Sequence, residues 1–182
     1  MQWNIPGTVL TIPRQDAHLI PQQIQALFLG GGVALSQITG ITGLESYTVQ
    51  NWVKRGFLPS PIQKRYNINQ LCRILIICML RHTLQMEQIC GLLRYINGDL
   101  DNTADDMIDD SQLYFMFVAL AADFSNRHGD LSHREAIDAA LIGYREPVPG
   151  ARERVRKVLG IMLTAWAASR LHDMAVQRLE QL

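Results

Sequence analysis

The chain has 182 residues, with 17 Lys and Arg against 17 Asp and Glu, so its formal net charge is zero, and 48% of its residues are hydrophobic. That length and apolarity suit one compact domain or two small ones and exclude disorder over most of the chain. Cys72, Cys78 and Cys90 form no Cys-x-x-Cys pair, which argues against a disulfide framework or a zinc site and for reduced thiols in a cytoplasmic protein; Met1 to Pro6 lacks the basic start and apolar run of a signal peptide.

Residues 1–33 read as an irregular arm to Arg14, then a short helix from Pro21 to about Leu29 with Ile24, Leu27 and Phe28 on one face. Gly30-Gly31-Gly32 ends it. No Gly-Lys-Ser/Thr follows and no strand precedes, so the glycine run is a hinge rather than a phosphate loop.

The segment 34–97 is the most informative. Leu35, Ile38 and Ile41 fall on one stripe of a short helix, Gly43 supplies a left-handed turn, and Leu44, Thr48 or Val49, and Trp52 recur at helical spacing. On a helix from Glu45 to Arg55, Val49, Trp52 and Val53 face the core, while Ser46, Tyr47, Gln50, Asn51 and Lys54 point outward with groups that read base edges or clamp phosphates. Gly56 caps this helix, Pro59 and Pro61 prevent its resumption, and a basic segment Gln63-Lys64-Arg65-Tyr66 follows, with Tyr66 packing back onto the body. Between Leu35 and Arg81 the bases are Lys54, Arg55, Lys64, Arg65, Arg73 and Arg81, and Glu45 is the only acid. An anionic polymer responds to such a local excess and not to the zero average. Asn67 or Asn69 then caps a helix through Leu71, Ile74, Leu75, Cys78 and Met79, and another runs from about Gln85 to Tyr95.

This order of elements resembles the winged helix-turn-helix of MerR-type transcription regulators. The resemblance is carried by Gly43, Thr48, Trp52, Gly56-Phe57-Leu58-Pro59, Lys64-Arg65-Tyr66, Leu71 with Arg73-Ile74, and Leu84-Gln85-Met86-Glu87-Gln88-Ile89. The stretch is also similar to a smaller bacterial family known as a domain of unknown function with a MerR-like DNA-binding domain, which shares the entry segment, the helix end and the short Pro-rich wing. The resemblance implies a sequence-specific regulator that binds double-stranded DNA, with Ser46, Tyr47, Gln50 and Asn51 near base edges and Lys54, Arg55, Lys64 and Arg65 on or beside phosphates. Two departures stand out: the hairpin between Leu58 and Tyr66 is short and lacks a Gly-Tyr-Arg tip, and residues 98–182 replace the long coiled coil through which MerR proteins pair.

Residues 98–110 carry six aspartates and no base, and read as an acidic linker that could also fold over the basic face. Asp99-x-Asp101 lacks the glycine and glutamate of a calcium loop. Residues 111–182 read as a C-terminal helical domain for pairing or sensing. Asp110 or Ser111 caps a run with Leu113, Phe115, Phe117, Leu120 and Phe124; Ser132 with Glu135 forms a capping box for a helix through Tyr144; and a long helix starts near Ala151 after Pro147 and Pro149. Its uncharged stretch Val158 to Ala168 is too short to span a bilayer and is a buried helix or a dimer seam. Arg152, Arg154, Arg156 and Lys157 spread around the helix start as a solvated face. His128, Asp130, His133 and Glu135 are the only cluster of ligand-like types. They sit at a helix junction without further ligands in register or a nucleophile elbow, so turn chemistry is favoured over a metal or catalytic site.

The expectation is therefore an all-α protein with a small β wing, an N-terminal winged helix-turn-helix plus a C-terminal helical bundle. It would act as a homodimeric DNA-binding regulator, with no enzymatic activity, cofactor, metal or membrane partner, and with room for a small-molecule effector. The alternative is a protein-interaction module that keeps the winged-helix fold without binding DNA.

Overall fold

The computed structural model describes residues 2–98, 100, 105–124 and 134–182. The chain is mainly helical with one small antiparallel sheet among the described residues. Strands β1 (Gln2–Asn4) and β2 (Thr11–Pro13) pair in the register Trp3 with Ile12. A 3-10 turn (Arg14–Leu19) leads into helix α1 (Ile20–Ala26), followed by α2 (Leu35–Thr42), α3 (Ser46–Lys54), α4 (Ile68–Leu80), α5 (Met86–Asn97), α6 (Asp110–Phe124), α7 (Arg134–Ala140) and α8 (Ala151–Leu179).

The β structure is not where the sequence placed it. Between Leu58 and Tyr66 there is no strand pair, only the isolated bridges of Ile62 with Arg65 and of Val33 with Tyr66. Three-residue strands leave too little alternation to be visible in the sequence, and the arm expected to be irregular instead docks into the body. Trp3 and Ile5 are buried. The loop between the strands is held by the Val9 amide, which donates to the Ile41 carbonyl at 3.0 Å, and by the Tyr114 hydroxyl, which donates to the Pro6 carbonyl at 2.8 Å. Gly7 makes this approach possible: its φ is +78°, and a Cβ there would lie 2.2 Å from the Leu75 carbonyl oxygen.

Helix α4 is the axis of the fold. Asn67 caps it, its side chain accepting from the Gln70 amide at 2.8 Å while Gln70 Oε1 accepts from the Asn67 amide. Every residue from Gln70 to Leu80 is buried, the polar Gln70 and Arg73 among them, so the helix is covered on all sides. Helices α2, α5, α6 and α8 surround it, and one continuous apolar core joins the two halves of the chain.

Val158, Leu159, Met162, Leu163 and Trp166 of α8 lie inside that core, with Trp166 edge-on to Phe117 at 6.0 Å between ring centres. Of the two alternatives for this uncharged stretch, the buried helix is the one found. At the basic start of α8 Arg154 and Lys157 are exposed as expected, whereas Arg152 and Arg156 differ from the solvated role. Arg152 donates to the carbonyls of Leu141 and Tyr144 at 2.8 and 2.7 Å, and Arg156 pairs with Asp138 at 2.6 Å, so these guanidiniums fasten α7 and the following turn to α8.

In the acidic stretch expected as a linker, Ile108 and Asp110 are buried, and Asn69 grips the start of α6 by donating to Asp109 and accepting from the Ser111 amide. Asp99 and Asp101 of the calcium-like spacing, and His128, Asp130, Ser132 and His133, lie outside the described residues. Among the described residues no helix is long and apolar enough to cross a membrane.

Candidate nucleic-acid interface

Helix α3 is mounted on α2 through a glycine turn. Gly43 has φ +70° and its amide donates to the Thr39 carbonyl at 2.8 Å, while the Thr42 hydroxyl donates to Ile38 and accepts from the Leu44 amide. Val49 and Trp52 anchor the inner face at 0% and 5% exposure. At the far end the Gly56 amide donates to Val53 and the Phe57 amide to Trp52, with Gly56 at φ +70°, the paired bonds of a Schellman cap. The helix is thus fixed at both ends and along its inner stripe. Its orientation does not depend on the outer side chains.

Ser46, Tyr47, Gln50, Asn51, Lys54 and Arg55 are all exposed, Tyr47 by 71%. They share the solvent side of one short helix, as their spacing requires. Arg55 differs from the others in being engaged: its guanidinium lies 4.6 Å from the centre of the Phe57 ring and 3.7 Å from Glu87 of α5.

Lys64 and Arg65 stand apart on the following turn. Gln63 and Lys64 have φ of +50° and +61°, and the Ile62 and Arg65 backbones exchange two hydrogen bonds at 3.0 and 2.8 Å, which makes a two-residue hairpin of the type with both central residues left-handed. Lys64 is at its tip. Arg65 turns back, donating to the Gly32 carbonyl at 3.4 Å. The root of the turn is tied down by the double bridge of Tyr66 with Val33, next to the start of α2, and by Tyr66 itself, buried as expected, with its phenol pKa pushed up by that burial. Among the described residues Lys54 and Lys64 have no ion-pair partner, so both charges are available to an anion.

Sequence reasoning missed Gln70 as a positioning residue. Its buried amide donates to the carbonyls of Pro59 and Ser60, both at 3.0 Å, and so sets the path from α3 to the turn. The Asn67-x-x-Gln70 spacing was the available signal, but it points to the cap and not to the loop eleven residues back. Among the described residues no group of three or more His, Cys, Asp and Glu could hold a metal ion.

No curated protein and no solved structure matches the chain. A family profile described as a domain of unknown function (DUF1836) matches residues 12–117, from β2 through the first half of α6, and therefore includes α3, the Ile62–Arg65 turn and all of α4. With more than half of its length matched, the chain belongs to the DUF1836 family.

Proposed function

We propose that the protein is a sequence-specific DNA-binding regulator whose recognition helix is α3 and whose minimal wing is the turn at Gln63-Lys64. The supporting observation is the division of labour on α3: Val49, Trp52 and the Schellman cap hold the helix, leaving Ser46, Tyr47, Gln50, Asn51 and Lys54 with no structural duty. An exposed helix face of amides, a phenol and a base suits major-groove edges, and Lys64 and Arg65 suit the flanking phosphates. This is the arrangement that the resemblance to MerR-type regulators implies. A single short helix buries too little surface for tight specific binding, so two copies on a two-fold site complete the proposal. Surface for pairing remains on α8 beyond its buried part, where Leu171, Met174 and Leu179 are exposed.

The test is fluorescence anisotropy on genomic DNA fragments across a salt series. Binding should weaken steeply with salt, and the combined change Lys54→Ala, Lys64→Ala, Arg65→Ala should flatten the log–log slope by about 0.9 for each phosphate no longer neutralised. Salt-insensitive binding, or none, removes DNA from the proposal.

The second reading, a winged-helix interaction module without DNA, is favoured by one observation. Leu29 and Ile62, beside the glycine run and on the turn, are 90% and 76% exposed, more apolar surface than a phosphate-facing wing needs.

A further inference from the structure

Behind the C-terminal end of α3 lies a cleft of about 510 Å³, walled by Phe57 after α3, Arg73 of α4, Cys90 and Arg94 of α5, and Gly98 and Leu100 after it. Its volume is that of a small-molecule site.

Its charge is unusual. The Arg73 side chain is only 10% exposed, and its Nε donates to Asp110 Oδ2 at 2.7 Å. Its two terminal amino groups have no hydrogen-bond partner among the described residues, and neither is sealed from solvent, so both remain open to an incoming acceptor. The second oxygen of Asp110 is occupied by Asn97 Nδ2 at 3.4 Å. Arg94, one helical turn from Cys90 on α5, ion-pairs with no described carboxylate.

The Cys90 thiol reports the resulting field. Among the described residues Arg73, Arg94 and Arg55 act on it against Glu87, which is already 3.7 Å from Arg55. Burial nevertheless holds the thiol above its ordinary pKa, so it stays protonated and does not itself neutralise the cleft. Asp106 also lies within the influence of Arg73 but does not line the cleft.

We propose that this cleft binds a small organic anion, its carboxylate or phosphate held between Arg73 and Arg94 and its apolar part against Phe57 and Leu100. A planar oxyanion takes two parallel donors from a guanidinium fork, and Arg73 is pre-oriented for this by Asp110. Phe57 is the second residue of the cap that ends α3, so occupancy of the cleft bears on the helix end without touching its outer face.

The site does not rest on DNA binding, and its test uses no DNA. The isotope-labelled full chain is titrated with benzoate, phenyl phosphate and benzylamine while amide resonances are followed by NMR. Benzoate or phenyl phosphate should give saturable shifts at Gly56, Phe57 and Gly98, and the one that binds tighter assigns the head group. Benzylamine should give none. Arg94→Ala removes an exposed side chain and should weaken the better anion at least about tenfold, whereas Arg170→Ala on α8 should leave it unchanged. Absence of saturation by both anions up to about 10 mM, equal shifts from benzylamine, or undiminished binding by Arg94→Ala would each overturn the proposal.

Discussion

Arg73 of α4 and Asp110 at the start of α6 form an ion pair at 2.7 Å with both side chains 10% exposed, joining segments 37 residues apart. Burial raises the Asp110 carboxyl pKa against the pull of Arg73, so the pair is a costly one that persists because each charge needs the other. Removing one partner strands the second. Asp110→Ala should therefore cost about 3–5 kcal/mol in urea unfolding, and the double change Arg73→Met, Asp110→Leu should cost much less than either single change. A single-variant loss below about 1 kcal/mol would show that the surviving charge escapes to water.

Base reading should separate from phosphate binding. Gln50→Ala or Asn51→Ala should reduce preference for the cognate site by about 1–3 kcal/mol and leave affinity for random DNA nearly unchanged. Both side chains are exposed on a helix anchored by Val49 and Trp52, so folding should not confound the comparison. Equal losses on both DNAs would show that these amides only position the protein.

Gly7, the single glycine of the N-terminal hairpin, should resist replacement far more than Gly30. Alanine there meets both a left-handed φ of +78° and the Leu75 carbonyl oxygen at 2.2 Å, and that oxygen belongs to the backbone of the central helix and cannot swing away. Gly7→Ala should destabilise by at least about 2 kcal/mol, while Gly30→Ala, with nothing within 4 Å, should be close to neutral in the same thermal melts.

Asp106 should make stability depend on mildly acidic pH. Its pKa is raised to about 6, first by burial and then by Asp110, from an ordinary value of 3.8. A raised folded-state pKa means that the folded chain holds the proton more tightly. This contribution is therefore full below about pH 4 and is lost as pH rises through about 6. Asp106→Asn should flatten that fall in melting temperature, measured from pH 4 to 7 at constant ionic strength; an unaltered profile would assign it to other groups.

The amphipathic character of α3, with Trp52 inward and Gln50 and Asn51 outward, was legible because it depends on local periodicity and caps. The docking of residues 2–13 was not, since Trp3 and Ile5 are buried by partners far along the chain. Composition also misled at Asp110. An acidic run reads as solvated on average, and nothing local marks its last member as the partner of a buried arginine. Arg152 and Arg156 failed in the same way, their partners being carbonyls and an aspartate on another helix. The cleft brings Arg73 to Arg94 across two helices, a proximity that no single-helix spacing contains.

The hydrogen bond from Tyr114 to Pro6 spans 108 residues, and its consequence lies in the order of assembly. During synthesis residues 2–13 leave the ribosome long before α6 exists, and α4 emerges with no cover for the sides that α6 and α8 will later bury. A nascent chain ending at Asn97 would lack α6 and α8, which pack on α4, and would leave Arg73 without Asp110, so the helices that carry the basic face would wait, partly ordered, for their C-terminal half. The covering of α4 is therefore completed only once α6 and α8 have been made.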